Sequence, residues 1–274
     1  MKLLGTTQTL FLAIFPIVAA SVTALPGQAA TFALSEANAT FSNFNLLPDS
    51  TSTDAVTSAI ALSFGGNVAS AADANALFQV NPPEASNLSV SQASGQFGSY
   101  LGLADSQATV IGRFLVSDLF QFIFQTNLNL IVAADHPTLE NANASGALLV
   151  SVFNSTDPNK LSPLDFFTIA GRLDTSSQLD FLQGESSNHF TFTPTPVLNT
   201  LFGETTKSAQ ASAAGSYQRV FETPTYITLV ESKVNHAEVQ AVPEPSGFLG
   251  LCLGGAVLVY RSRRQAAKRD GIKN

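Results

Sequence analysis

The residue types that most often carry chemistry are few in this chain of 274 residues. It holds one cysteine, Cys252, and three histidines, His136, His189 and His236. No two of these residues have the spacing of metal ligands such as H-x-x-x-H, and no G-x-S-x-G motif presents a nucleophilic serine. A single cysteine also excludes a disulfide framework and a multi-cysteine metal site. We therefore predict no catalytic residue, no metal site and no cofactor, and we expect the protein not to be an enzyme.

The acidic residues are the next candidates for chemistry. Asp135 precedes His136, and Glu140 follows four residues later, an order in which an acid could orient a general base. The His-Pro sequence is more typical of a turn after a strand, and we interpret it so. Asp105, Asp118, Asp135 and Glu140 flank aromatic segments, but no spacing selects two of them as a glycosidase pair. We expect these acids to be solvated.

One loop contains oxygen ligands of the kind that calcium binds. Asp157, Asn159 and Asp165 lie within residues 154–165, which read NSTDPNKLSPLD. The spacing is not that of an EF-hand, whose ligands recur at every second position before a glycine. Asp-Pro and Asn are also ordinary turn residues. We expect a hairpin loop here, with calcium binding as the alternative.

The elements that position these residues follow a strand pattern. Phe120, Phe122 and Phe124 alternate with polar or opposite-facing residues, a period of two that predicts a strand with one buried face. His189 alternates with Phe190 in the same way, so we expect it on the outward face of a strand. We count about ten strands separated by Asn, Asp, Ser, Gly and Pro. Their approximate positions are 41–47, 60–64, 120–124, 128–132, 147–153, 166–169, 190–192, 217–221, 226–230 and 234–239.

Many short strands with polar turns predict an all-β fold, and we expect an antiparallel β-sandwich of jelly-roll-like type. The best helix candidate inside it is Ala69–Phe78, because the segment is rich in alanine. A linker would fall most naturally at 81–94, but no segment separates two cores. We therefore predict one exported domain over residues 30–241.

The N-terminus has the three parts of a secretory signal peptide over residues 1–29. Lys2 supplies the positive start, and Leu10–Ala20 is an apolar run too short to span a bilayer. Gly27 and Ala29 fit the small residues before a signal-peptidase site, so we place the cut after Ala29. We expect this segment to be helical and to be removed by signal peptidase.

A second apolar segment lies near the C-terminus. Residues 247–260 contain no charge, and we expect them to form a membrane helix. Arg261, Arg263 and Arg264 follow at once, and positive charge holds the adjacent end of a span in the cytoplasm. The remaining residues, 265–274, form a basic cytoplasmic tail. The two ends together predict that the body lies outside the cytoplasm and is anchored to the inner membrane.

An extended motif stands just before this span. Pro243 and Pro245 flank Glu244, and the two prolines exclude regular helix there. The order of Pro-Glu-Pro, short apolar span and arginine cluster at the chain end resembles the PEP-CTERM sorting signal, here over residues 242–264. The resemblance implies processing by the membrane enzyme exosortase near Pro243, Glu244 and Pro245. It also implies a bacterium that makes extracellular polysaccharide, with the protein released or transferred to the cell surface.

Charge and composition narrow the function classes. The formal net charge is −7, and the predicted body holds 18 Asp and Glu against 6 Lys and Arg. This excludes nucleic-acid binding, which needs basic surface. Our first hypothesis is a non-enzymatic envelope or extracellular-matrix protein associated with exopolysaccharide or biofilm. The alternative is a carbohydrate-binding or carbohydrate-active domain supported by calcium, for which Phe97 and Tyr100 in the glycine-rich stretch 94–104 could supply stacking rings.

Overall fold

The computed structural model describes residues 30–157, 159–176 and 179–241. The predicted signal peptide, the sorting motif, the membrane span and the basic tail lie outside these residues. Within them the chain is all-β, and every pair of neighbouring strands is antiparallel. The predicted all-β class and antiparallel pairing are therefore confirmed for this part of the chain.

The strands form two sheets, which we call sheet A and sheet B. Sheet A has seven strands in the order β10-β12-β6-β1-β4-β3, with β11 also paired to β12. Their bounds are β1 Ala30–Ser42, β3 Asn67–Gln79, β4 Glu84–Gln96, β6 Leu119–Ala134, β10 Phe190–Phe192, β11 Val197–Phe202 and β12 Thr206–Val220.

Sheet B has six strands in the order β2-β5-β13-β7-β8-β9. Their bounds are β2 Ser50–Phe64, β5 Ser99–Val116, β7 Glu140–Asn154, β8 Ser162–Asp174, β9 Phe181–Ser186 and β13 Thr225–Ala241. The sheets face each other because alternate side chains of each strand are apolar, and both inner faces contribute to one buried cluster.

The aromatic alternation of β6 is confirmed. Phe120, Phe122 and Phe124 are buried, whereas Gln121 and Ile123 lie on the outer face of sheet A. The Phe122 ring contacts five other rings at centroid distances between 5.1 and 6.4 Å. These contacts form an aromatic cluster in the core between the sheets.

Two predictions about local structure are wrong. Ala69–Phe78 is not a helix but most of strand β3. Its small residues alternate between an outer face and an inner face packed toward β5, so tertiary contact overrides the helix propensity of alanine. The strand predicted at 41–47 is wrong beyond Ser42, where β1 ends and Asn43 takes a left-handed conformation with φ of 54°. Residues 81–94, where a linker would most naturally have fallen, are mostly strand β4, which pairs with β1 and β3, so they do not separate two cores.

Both ends of the described chain lie at the same end of the two-sheet body. Ala30 of β1 lies beside Gln96 of β4, and Ala241 of β13 lies beside Tyr100 of β5. Only the turn at Phe97–Gly98 separates β4 from β5, so the two chain ends must be close. We call this end the terminal end and the opposite one the distal end. No helix long and apolar enough to cross a membrane occurs in the part of the chain that the structure describes.

Candidate functional site

The sorting residues predicted from the sequence cannot be placed. Gly27 and Ala29, the Pro243–Pro245 motif and the three arginines at 261, 263 and 264 lie outside the described residues. The structure instead shows where the body meets these segments, which is the terminal end. We therefore describe that end first and then the other polar clusters of the body.

A hydrogen bond ties the start of β1 to the neighbouring turn. The backbone nitrogen of Ala30 lies 3.0 Å from Oδ2 of Asp135. Asp135 opens the turn between β6 and β7, where the amides of Leu139 and Glu140 donate to the carbonyl of His136 at 2.9 Å. The prediction that His136 marks a turn after a strand is confirmed. Asp135 thus holds the start of strand β1 against the β6–β7 turn.

A buried tyrosine joins the two sheets just inside the terminal end. The Tyr100 hydroxyl lies 2.7 Å from Oγ1 of Thr31 and donates to Glu140 over 3.4 Å. Burial raises the pKa of Tyr100 to about 12 and also raises the pKa of Glu140. Gly95 is required beneath the ring, because any Cβ at that position would lie 2.1 Å from a Tyr100 ring carbon. Tyr100 and Glu140 therefore belong to the interior, and the prediction that Glu140 is solvated is wrong.

A groove of about 670 Å³ opens beside the same end. Its lining includes Thr138, Ser176, Asp180, Phe202 and Lys207. The Lys207 ammonium donates to Oδ2 of Asp180 and to the backbone carbonyl of Asp174, each at 2.7 Å. The groove therefore combines hydroxyl groups, an ion pair and one half-exposed aromatic ring, a mixture that suits a polar ligand with an apolar face.

Asp165 is the centre of a second polar cluster, on strand β8. Its Oδ1 accepts hydrogen bonds from the Ser187 hydroxyl at 2.9 Å and from Nδ1 of His189 at 2.8 Å. Its Oδ2 accepts from the Tyr217 hydroxyl at 2.9 Å and from the Arg219 guanidinium at 2.7 Å. Burial tends to raise the pKa of Asp165, but the hydrogen bonds from Arg219, Tyr217, His189 and Ser187 outweigh it and hold the pKa below its usual value.

These contacts explain the role of Asp165. Tyr217 and Arg219 come from sheet A, whereas Asp165 comes from sheet B, so the cluster fastens the two sheets together. Four donors occupy the carboxylate, which leaves it no free lone pair for a calcium ion. At the other end of the predicted loop, Asp157 accepts the amide of Asn159 at 2.9 Å in a local turn. The hairpin-loop interpretation is confirmed, and the loop residues do not converge on one point.

The third histidine lies on the outer face of sheet B. His236 Nδ1 is 2.8 Å from Asp105, and its Nε2 is 3.6 Å from Glu238. The interaction with Glu238, followed by the contact with Asp105, holds the pKa of His236 above its usual value, although partial burial acts in the opposite direction. Asp105 is therefore a strand residue paired with a histidine rather than a turn acid. No group of three His, Cys, Asp or Glu side chains suited to a metal occurs among the described residues.

A polar layer crosses the middle of the body between the sheets. Glu231 and Lys233 are neighbours on the inner face of β13, 1% and 0% exposed, and their Oε1 and Nζ atoms are 2.6 Å apart. Asn87 donates to the other oxygen of Glu231, and its backbone carbonyl accepts from Lys233 at 3.1 Å. Burial lowers the pKa of Lys233 to about 8, although Glu231 acts in the opposite direction.

Serine and asparagine side chains complete this layer. Ser106 of sheet B lies 2.8 Å and 2.9 Å from the hydroxyls of Ser89 and Ser91 of sheet A. Asn235 donates to the Ser89 carbonyl at 2.8 Å and accepts from the Ser35 hydroxyl at 2.7 Å. The layer fixes the lateral position of one sheet against the other, because apolar contacts alone would permit sliding.

The exposed phenylalanines do not line up along one sheet. Phe64 and Phe97 lie at turns of the terminal end, and Phe202 lies on β11 of sheet A. Phe166 and Phe181 lie on β8 and β9 of sheet B, but Phe181 pairs with Arg172, six residues along from Phe166. The sequence points to Phe97 through its glycine-rich surroundings but not to Phe202, because nothing near Phe202 in the sequence indicates the groove beside the β11–β12 turn.

Comparison with known proteins gives no relative. The chain matches no protein-family model, no curated protein and no solved structure.

Proposed function

We propose that this chain is an exported cell-envelope or extracellular-matrix protein without enzymatic activity. On this proposal its jelly-roll-like body is held outside the cytoplasm by the PEP-CTERM-type signal and is processed by exosortase. The observation that carries the proposal is the placement of Ala30 and Ala241 at one end of the body. The predicted signal peptide and the predicted C-terminal sorting signal then both leave from that end, so neither has to cross the folded sheets.

The start of β1 supports the predicted signal-peptidase cut. Cleavage after Ala29 would make the Ala30 nitrogen the mature amino terminus. That nitrogen is 3.0 Å from the Asp135 carboxylate. The new ammonium group would form an ion pair there, and charge-assisted hydrogen bonds are stronger than neutral ones.

The other end supports a short tether. Residues 242–246 separate the end of β13 from the predicted span at 247–260. Fully extended, five residues reach about 17 Å. The two prolines favour that extended form and leave the backbone open to a processing enzyme. An anchored body would therefore stand with its terminal end close to the bilayer.

Changing Pro243, Glu244 and Pro245 together to Ala tests the proposal in the native host. We expect the mature protein to become larger and to move from the released pool to the membrane, because exosortase would no longer recognise it. The matched control changes the flanking Val242 and Ser246 to Ala and should leave size and location unaltered. Unchanged size and location in the triple variant would contradict exosortase processing.

The groove at the terminal end favours a second candidate function, polysaccharide binding. Sugars bind where a ring face meets hydroxyl and carboxylate groups, and Phe202, Thr138, Ser176 and Asp180 supply these groups. Titration of the full-length chain with exopolysaccharide from its host should then show binding that Phe202→Ala weakens about tenfold, equivalent to about 1.4 kcal/mol. Phe166→Ala, an exposed ring on the other sheet, is the control. Equal binding by both variants would contradict this function.

A further inference from the structure

Strand β2 is the edge strand of sheet B, with one of its two long edges unpaired. It forms the end of sheet B and pairs only with β5. All 15 of its residues are exposed, including those whose side chains point toward sheet A. Strand β3 of sheet A runs close to β2, and the Ser70 hydroxyl donates to the Ile60 carbonyl at 2.9 Å, but no strand of the described residues pairs with the free edge of β2.

The sequence of β2 contains none of the usual protections of an edge strand. Native edges are blunted by lysine, proline, bulges or short length. β2 reads STSTDAVTSAIALSF, with one charge, Asp54, and its register with β5 is regular throughout. The opposite side of the body is protected by length, since β9, β10 and β11 have only six, three and six residues.

The outer face of β2 is also apolar. Val56, Ile60, Leu62 and Phe64 share that face at even positions and are 46% to 77% exposed. Ile60 pairs with Leu103 and Leu62 with Leu101 of β5, which extends the apolar surface onto the sheet. A long, flat and apolar free edge is the kind of surface that pairs with another strand.

We propose that β2 pairs antiparallel with β2 of a second copy of this chain, so that two B sheets join into one continuous sheet. An antiparallel strand pair about a two-fold axis perpendicular to the sheet is self-complementary, so one exposed strand supplies both halves of the interface. The axis must pass through a residue, because opposed residues in an antiparallel pair share a face. Thr57 is the middle of β2.

Charge placement agrees with this pairing. With the axis at Thr57, each Asp54 lies opposite Ile60 of the other copy, and the two carboxylates are about 20 Å apart at 3.4 Å per residue. Val56 would lie opposite Ser58. No like charges therefore meet across the interface between two copies. A strand of unrelated sequence could instead place an acidic residue opposite Asp54.

The expected affinity is modest. The edge is about 50 Å long, and with a sheet thickness of about 10 Å it covers about 500 Å² on each copy. Specific interfaces start near 1,200 Å² in total, so this dimer lies slightly below that range and should have a micromolar Kd. The pair also directs its two Ala241 ends in opposite directions. Two copies anchored side by side in one membrane could not form it, so pairing belongs to released copies.

Cysteine cross-linking of the full-length chain tests the pairing. The single native cysteine is first removed by Cys252→Ser, and single cysteines are then placed at each position from 54 to 60. Opposed Cβ atoms in an antiparallel pair are close enough for a disulfide. Mild oxidation in detergent should give a disulfide-linked dimer with a maximum at one position of this scan. Cysteines at positions 197–202 of β11, on the opposite edge, should give none.

Sedimentation provides the second measurement. Val56→Lys with Ser58→Lys places lysine opposite lysine across the strand pair, and both residues are already exposed, so folding should be unaffected. We expect the dimer Kd to rise about tenfold or more. Leu198→Lys with Leu201→Lys on β11 should not change it. A monomer well above micromolar concentration, a dimer unaffected by the β2 lysines, or a scan with no maximum would overturn the proposal.

Discussion

The buried ion pair of Glu231 and Lys233 allows a direct test of how each charge in the polar layer contributes to the free energy of unfolding. Lys233→Met removes the cation that lies 2.6 Å from a carboxylate that is 1% exposed. Removing one partner of a buried ion pair costs about 3–5 kcal/mol, because the remaining charge is uncompensated. Asn87 still donates to Glu231 and is retained in the variant. We therefore expect a loss in the free energy of unfolding at the lower end of that range.

The double variant separates loss of a partner from loss of the pair. Glu231→Leu together with Lys233→Met replaces both charges by apolar groups of similar volume. Such replacements are often neutral or stabilising by about 1–4 kcal/mol. The double variant should therefore be more stable than Lys233→Met alone. Lys160→Met, which removes an exposed lysine, should change stability by less than about 0.5 kcal/mol.

The pH dependence of Lys233→Met follows from the pKa of Glu231, which burial raises. A carboxyl group with a higher pKa in the folded state stabilises the fold below its unfolded pKa, and this stability is lost as pH rises through the folded pKa. The single variant should thus be closer to the parent protein at pH 5 than at pH 8.

Chemical denaturation followed by far-ultraviolet circular dichroism measures these differences, since the chain has no tryptophan to report unfolding. Equal stability of Lys233→Met and the double variant, or a match between Lys233→Met and the parent protein at pH 8, would show that Lys233 does not compensate a buried charge on Glu231.

Three further predictions concern stability and use the same denaturation assay. Asp165→Asn should lower stability at neutral pH by about 3 kcal/mol, since it breaks a buried charged network. Because the pKa of Asp165 is lowered by folding, the parent protein should lose this advantage as pH falls below about 4, and a constant gap between the two proteins would contradict the argument. Phe122→Ala should cost about 3–5 kcal/mol, since its ring lies among five others. Gly95→Ala should destabilise by more than about 1 kcal/mol through collision with Tyr100, and restored stability in Gly95→Ala with Tyr100→Leu would support that cause.

The strands that the sequence predicted are those with large residues on one face. The phenylalanines of β6 and the apolar residues of β7 and β8 alternate clearly, because bulky side chains fill the space between the sheets. Strands β3 and β4 were missed because alanine, serine and asparagine occupy their inner faces. Such residues are typical of helices or loops when tertiary contacts are unknown.

Strand β13 was predicted only in part, because polar residues on its inner face hide its continuity in the sequence. Its central residues Glu231–Lys233 look like a turn between two strands, so the sequence predicts strands at 226–230 and 234–239. The structure has one strand over Thr225–Ala241, with Glu231, Lys233 and Asn235 on its inner face. Only the charged and amide partners on sheet A make that burial possible, and nothing local in β13 identifies them.

The polar clusters were beyond prediction for a related reason. Asp165 meets Ser187, His189, Tyr217 and Arg219 from residues 22 to 54 positions away. None of these separations is a recognisable motif, and the contacts depend on which strands face each other across the two sheets.

The intact mass of the mature protein in its native host, measured in membrane and released fractions, tests the central claim most directly. We expect a released species that begins at Ala30 and ends near the Pro243–Pro245 motif, because the signal peptide and the C-terminal membrane span would both have been removed. A membrane-bound species that still carries the arginine-rich tail, or any mature species that retains residues 1–29, would contradict the proposed export and processing.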